Sequence, residues 1–169
     1  LLPLLADKTR ILLVTDQNVG ALEATQAIHR LLAADGRQVE VINSVPAEPS
    51  HQDVAEIVSQ LGASQPQMVV GIGGGSVLDV AKLLSVLLHP QAPTLTALLA
   101  GEQPQRRLCS LLIPATAGTG SEATPNAILA IPEQQTKVGI ISPVLLPDYV
   151  ALLPELTTSM PASIAASTG

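Results

Sequence analysis

Apolar and polar residues alternate along this chain in two rhythms, and the switches between them mark out the elements. Residues 10–15 contain a branched run (Ile11, Leu12, Leu13, Val14) that predicts a strand, followed by a polar turn at Asp16-Gln17-Asn18-Val19-Gly20. Over 21–34 the positions Leu22, Ile28, Leu31 and Leu32 recur at helical spacing, and Asp35-Gly36 is a stop signal. Residues 38–42 predict a second strand. Helical spacing returns over 50–61, where Val54, Ile57, Val58 and Leu61 share one face, Ser50 is the expected N-cap and Gly62 the terminator. A third strand is predicted over 67–72, apolar enough to be covered on both faces. A helix over 77–88 leaves a glycine-rich turn directly, and 108–113 predicts a fourth strand entering a Gly/Thr/Ser loop. Two short strands, 127–131 and 138–141, are expected to pair as a hairpin across 132–137. Beyond 142, prolines at 143, 147, 154 and 161 break the chain into connecting pieces.

Strand, helix, strand, helix at this rhythm predicts an α/β domain over 1–169, a Rossmann-like doubly wound parallel sheet with helices on both faces. In such folds ligands sit beyond the carboxyl ends of the strands. Three turns fall there: Asp16 after the first strand, residues 73–76 after the third and residues 116–121 after the fourth.

Composition narrows the choices. The chain has 169 residues, 47% of them apolar, which suffices for one domain with a sizeable core. Its only aromatic residue is Tyr149, so the core is aliphatic and no platform exists for stacking nucleic-acid bases. The net charge of −6 repels phosphate backbones, and the one basic pair, Arg106-Arg107, is expected in a solvated loop. A nucleic-acid partner is therefore not expected. The lone Cys109 excludes an internal disulfide and is expected as a small buried hydrophobe beside Leu111-Leu112, compatible with a cytoplasmic setting. The apolar runs 11–14 and 83–88 are far too short to span a bilayer, so no membrane partner is expected. Leu1-Leu2-Pro3-Leu4-Leu5 lacks the basic flank and cleavage site of a signal peptide, and the ends read as trimmed. His29, His51 and His89 follow no metal-ligand spacing and are expected at the surface.

The strongest local signal is Gly71-Ile72-Gly73-Gly74-Gly75-Ser76. Three consecutive glycines between a buried strand and a helix let the backbone turn sharply and approach a ligand closely. The first amides of the following helix lack internal partners and lie at the positive end of its dipole, which suits a phosphate or pyrophosphate. Ser76 is expected either to cap the helix or to donate to a phosphate oxygen. No Gly-Lys-Ser/Thr follows, so phosphoryl transfer from a nucleoside triphosphate is not supported. Asp79 and Lys82, three apart, suit an ordinary ion pair on one helix face. Alternatively, Asp79 orients the neighbouring loop or the ligand.

The second loop, Thr116-Ala117-Gly118-Thr119-Gly120-Ser121-Glu122, sets short hydroxyls along a chain kept open by small residues, which suits a ligand rich in oxygens. Asp16 is placed to accept hydrogen bonds from ribose hydroxyls and would repel a 2′-phosphate, favouring NAD over NADP.

With these segments in hand, the sequence resembles the iron-containing (group III) alcohol dehydrogenase family. The match is carried by Val14-Thr15-Asp16, by Gly73-Gly74-Gly75-Ser76-Val77-Leu78-Asp79-Val80-Ala81-Lys82, by Pro114 through Glu122, and by Lys137 with Ser142-Pro143 through Pro147-Asp148. The resemblance implies an NAD-dependent oxidoreductase of roughly twice this length with a dehydroquinate synthase-like fold. Its N-terminal domain binds the cofactor, and a helical domain, missing from this chain, holds Fe2+ or Zn2+ for a Lewis-acid role on an alcohol or aldehyde. Carried over by motif, Asp16 is the ribose-binding acid and Gly73, Gly74, Gly75 and Ser76 form the pyrophosphate cradle. Asp79 faces the nicotinamide side, Thr116, Thr119 and Thr124 line the cofactor, and Lys137 contacts its ribose region. Family members are often homodimers or larger.

Three departures stand out. Ala115 replaces a common threonine, Glu48-Pro49 falls where some members place a cofactor-contacting asparagine, and Leu153 replaces an aspartate. Thr168-Gly169 resembles the dipeptide that precedes the family's first metal ligand, so the metal ligands are expected outside this chain, and without them the chain is expected to bind cofactor but not to react. The rival readings are a glycerol dehydrogenase or maleylacetate reductase of the same fold, and a non-catalytic nucleotide-binding module.

Overall fold

The computed structural model describes residues 2–158; Leu1, Pro161 and Thr168-Gly169 lie outside the described residues. Five parallel strands form the main sheet. They are β1 (Arg10–Val14), β2 (Gln38–Ile42), β3 (Met68–Gly73), β4 (Cys109–Pro114) and β7 (Tyr149–Val150), in the order β2-β1-β3-β4-β7. Every residue of the central β3 is buried, whereas the edge strands β2 and β7 are largely exposed, as expected of strands covered on fewer sides.

Alternation along the strands sends side chains into two separate cores. Leu12 and Val14 face the layer that holds α3 (His51–Leu61) and α4 (Gly75–Leu87), through Val54, Ile57, Leu78 and Leu84. Ile11 and Leu13 face the other layer, where α2 (Glu23–Ala33) buries Ile28 and Leu32, and α6 (Pro154–Thr158) adds Leu156. The doubly wound α/β arrangement expected from the sequence is what is observed.

On the α3/α4 face a second, antiparallel sheet of β5 (Asn126–Ile131) and β6 (Thr136–Ile141) inserts Ala127, Leu129 and Ile140 into the core. This hairpin covers α4, which is why α4 is buried on all sides from Val77 to Val86. Close approach of α4 to β3 needs glycine. A Cβ on Gly71 would lie 2.7 Å from that of Ala81, and one on Gly73 would lie 2.6 Å from that of Val77.

Several local expectations are corrected. The polar turn after β1 holds a one-turn helix α1 (Gln17–Gly20), because the Asp16 carboxylate accepts from the amides of Asn18 (2.8 Å) and Val19 (2.9 Å). The central helix starts at Gly75 rather than 77, with Gly74 as its N-cap, so Ser76 lies inside the helix and does not cap it. Ser50 does cap α3, in a reciprocal capping box with Asp53. Two short elements escape the apolar pattern, α5 (Leu95–Leu99) and the two-residue β7.

Arg107 is no loop cation in free solvent. Its guanidinium donates to the Val144 carbonyl at 2.8 Å and pairs with Asp148, whose carboxylate also accepts from the Ser110 amide at 2.8 Å. That cluster pins β7 beside β4. Cys109, at the start of β4, is half-buried rather than enclosed; burial pushes its thiol up, and the Asp148 carboxylate adds to the shift. Among the described residues, no helix is long and apolar enough to cross a membrane.

Candidate functional site

The strand order creates a switch point. From β1 the chain crosses through α2 to β2 on one side, while β3 lies on the other side of β1, leaving a crevice at their carboxyl ends. Val14 pairs with Gly71, and two residues further along each strand come Asp16 and Gly73. Asp16 and the glycine turn therefore flank this switch point. Both hydrogen bonds to the Asp16 side chain fall on one oxygen, Oδ1, and fix the carboxylate at the start of α1.

The three glycines have different reasons. Gly73 is dictated by packing against Val77. Gly75 sits tightly against the second loop, and Gly74 meets it at an ordinary contact distance. A Cβ on Gly74 would sit 3.4 Å from the Thr116 methyl, and one on Gly75 would sit 3.2 Å from the Thr119 Cβ. The two glycine loops thus close on each other, with the open amides of the first turn of α4 beside them. Thr116 Oγ1 is buried there without a hydrogen-bond partner, and a buried hydroxyl normally has one. A ligand oxygen at this turn would supply it, so the residues present fit a phosphate-bearing group.

A cleft of about 370 Å³ opens beside this turn. Of the residues singled out in the sequence, it gathers Gly75, Ser76, Asp79, Thr119, Thr124 and Lys137. Asp16, Gly73, Gly74 and Thr116 do not line it. They lie at or just beyond the carboxyl ends of β1, β3 and β4.

The cleft also holds residues not expected there from the sequence, among them Glu48, Asn126 and Ile128. On β5 the signal was present as alternation, with Ala127, Leu129 and Ile131 buried and the intervening positions turned to the cleft. Glu48 comes from the loop between β2 and α3, which straps the cleft. Ser76 Oγ donates to the Ala47 carbonyl, Lys137 Nζ donates to Glu48 Oε1 at 2.8 Å, and the Ala130 amide donates to the Pro49 carbonyl at 2.9 Å. Pairing with Lys137 holds the Glu48 carboxyl below the usual glutamate range.

Deeper in the wall lies the Asp79–Lys82 pair, with Nζ and Oδ1 3.0 Å apart. Asp79 Oδ1 also accepts from Ser121 Oγ, and Oδ2 accepts from the Ile128 amide at 3.0 Å. Lys82 donates to the carbonyls of Ser121 (2.9 Å), Thr124 (3.3 Å) and Asn126. Burial pushes the Lys82 ammonium below the ordinary lysine range, and Asp79 opposes that only in part. The ion pair expected from the spacing is present, and the same carboxylate reaches the cleft.

The histidines stay partly exposed. His51 Nδ1 lies 3.5 Å from the Ala130 carbonyl and Nε2 lies 3.7 Å from Glu133. Among the described residues, no group of three His, Cys, Asp or Glu side chains could hold a metal ion.

Known proteins are similar to this chain in sequence and in fold. Residues 2–154 match the family model described as iron-containing alcohol dehydrogenase. The sulfoacetaldehyde reductase of Bilophila wadsworthia is 31% identical over 161 residues, covering 95% of this chain and 42% of that protein. The 4-hydroxybutyrate dehydrogenase of Cupriavidus necator is 34% identical over 164 residues, covering 95% and 42%. An iron-containing alcohol dehydrogenase structure from Thermotoga maritima superposes with a TM-score of 0.85 at 34% identity, over 95% of this chain and 44% of that one. The sulfoacetaldehyde reductase of Bifidobacterium kashiwanohense, solved in complex with NAD+, gives 0.83 at 27% identity, over 98% and 44%. The chain thus spans about two fifths of the length of the relatives it matches. Match, fold and glycine loops agree, and the chain belongs to the iron-containing alcohol dehydrogenase family.

Proposed function

We propose that residues 1–169 form the cofactor-binding domain of an NAD-dependent dehydrogenase acting on a primary alcohol or its aldehyde. The observation that carries this reading is the buried, unpartnered Thr116 hydroxyl beside the triglycine turn. In this reading the amides at the start of α4 hold the pyrophosphate, with Gly73 and Gly74 allowing the turn and Gly75 and Ser76 at the contact. Asp16 accepts from the adenosine ribose hydroxyls, and its charge disfavours a 2′-phosphate. The second half of the dinucleotide extends into the cleft past Thr119 and Thr124 towards Lys137, with Asp79 on the nicotinamide side.

When bound, the nicotinamide supplies the hydride acceptor for alcohol oxidation, or the donor for aldehyde reduction. This chain's residues bind and orient it. The metal that the family's name implies finds no donor set among the described residues, so no step is assigned to a metal on this chain. The substrate class follows relatives whose names give 1-propanol, 4-hydroxybutyrate, sulfoacetaldehyde and long-chain alcohols, all alcohol or carbonyl compounds. A cytoplasmic homodimer or larger assembly, acting apart from membranes and nucleic acid, is part of the same proposal.

Calorimetric titration of the full-length protein with NAD+ tests it. Saturable binding is expected, weakened at least about tenfold by Gly75→Val, which fills the approach to Thr119. No affinity for NAD+, or a bound cofactor located away from Ser76, would overturn the reading.

A further inference from the structure

The cation at the centre of the cleft wall never reaches its surface. Lys82 is among the most completely buried side chains of the described chain, yet its ammonium is surrounded by the carbonyls of Ser121, Thr124 and Asn126 and by Asp79 Oδ1. Those carbonyls belong to one continuous stretch of backbone, which leaves the second glycine loop and enters β5. Three carbonyls converging on one point repel each other unless a cation sits between them. Asp79 completes the device from the same helix, drawing in the Ser121 hydroxyl with one oxygen and the Ile128 amide with the other.

Every tie runs from α4 to residues 121–128, and that segment supplies Ser121, Thr124, Asn126 and Ile128 to the cleft. None of these bonds ends on the glycine turn itself, where Gly73 lies close against Val77, Gly74 near Thr116 and Gly75 near Thr119. The two ends of the site are therefore set by separate devices.

We propose that Lys82 is a positioning residue that shapes the wall for the nicotinamide half of the dinucleotide, while leaving the half that carries the diphosphate untouched. Its ammonium acts as a built-in counterion for three backbone carbonyls, and Asp79 anchors the wall as well as facing the ligand. This assignment rests on the proposed dinucleotide site. It separates two contributions that a simple cofactor contact would merge.

Titration of the full-length protein with NAD+ and with ADP in parallel tests it, using Lys82→Met, Asp79→Asn/Lys82→Met and Lys82→Arg. Lys82→Met is expected to weaken NAD+ at least about tenfold while ADP stays within about twofold, because a wall displaced by about an ångström misplaces one half of the ligand only. The double variant, which leaves no unpaired charge buried, keeps the test open if the single variant does not fold, and the same split is expected of it. Lys82→Arg, which retains a cation, is expected to restore part of the loss. An unchanged NAD+ affinity in a folded variant would overturn the proposal, as would equal losses for NAD+ and ADP. Failure of the unsubstituted protein to bind either ligand would instead overturn the dinucleotide site on which it stands.

Discussion

Two carboxylate–lysine pairs frame the same cleft and differ in almost everything except chemistry. Asp79–Lys82 lies in the wall, with side-chain exposures of 12% and 1%, and Glu48–Lys137 spans the mouth, with exposures of 73% and 57%. In the wall, burial dominates and drives the Lys82 ammonium towards its neutral form. At the mouth, water already solvates both groups, and pairing only favours the charged carboxylate of Glu48. The difference teaches that the inner pair builds the site and the outer pair covers it. A buried pair is a weak source of net stability, but its partners cannot be removed singly. An exposed pair contributes little to folding and is free to break when a ligand arrives.

The largest effect is expected where the comparison is broken from the inside. Lys82→Met leaves Asp79 charged and buried against three unneutralised carbonyls, and should lower unfolding stability by roughly 3–5 kcal/mol in denaturant titration. Asp79→Asn/Lys82→Met removes both charges and should recover most of that loss. The sign of the pH effect agrees. With its folded pKa depressed, Lys82 carries its full burial cost below that folded value, and the cost is relieved as pH rises from it towards the ordinary lysine range. A double variant no more stable than Lys82→Met would show that the stability lies in the side-chain packing and not in the charges.

A third pair, Arg107–Asp148, sharpens the contrast from between the extremes. Burial pushes the Asp148 carboxyl up, but Arg107 and the Ser110 amide outweigh it and hold it below the usual aspartate range. Its stabilisation is therefore fully present above the unfolded value and lost as pH falls through the lower folded one, below about pH 4. Asp148→Asn should cost roughly 1–2 kcal/mol at neutral pH, kept small by solvent screening at the part-exposed carboxylate, and should flatten the acid limb of the stability curve. An unchanged acid limb would mean that β7 is held beside β4 by its backbone bonds alone.

What the sequence revealed follows the same division. The buried strands and amphipathic helices were legible because burial imposes a period, and the glycine turn because at position 73 only glycine clears Val77. The Asp79–Lys82 spacing announced an ion pair, but nothing local announced that its acceptors are the carbonyls of residues 121, 124 and 126, since backbone oxygens leave no mark on residue identity. Arg107 was misread for a related reason. Its partners, Val144 and Asp148, lie some forty residues away and are brought near by β7, a strand too short to show a pattern. Glu48 was noticed as a departure at a motif position, yet its partner Lys137 is 89 residues distant and only the fold joins them.

The smallest effect is expected at the mouth, and it should appear in binding rather than in folding. Lys137 is the cation proposed to meet the ribose region of the cofactor, and without ligand its ammonium is engaged by Glu48 across the strap formed by residues 47–49. A ligand that uses Lys137 must first separate the pair, and must also approach a carboxylate that repels its diphosphate. Glu48→Gln removes both obstacles and should leave the melting temperature unchanged while tightening NAD+ roughly two- to fivefold at low salt. The gain should fade as ionic strength rises, because screening already weakens the pair in the unsubstituted protein. A Glu48→Gln protein that binds NAD+ more weakly at every salt concentration would reverse the assignment, making Glu48 a contact for the cofactor and the Lys137 pairing its means of orientation.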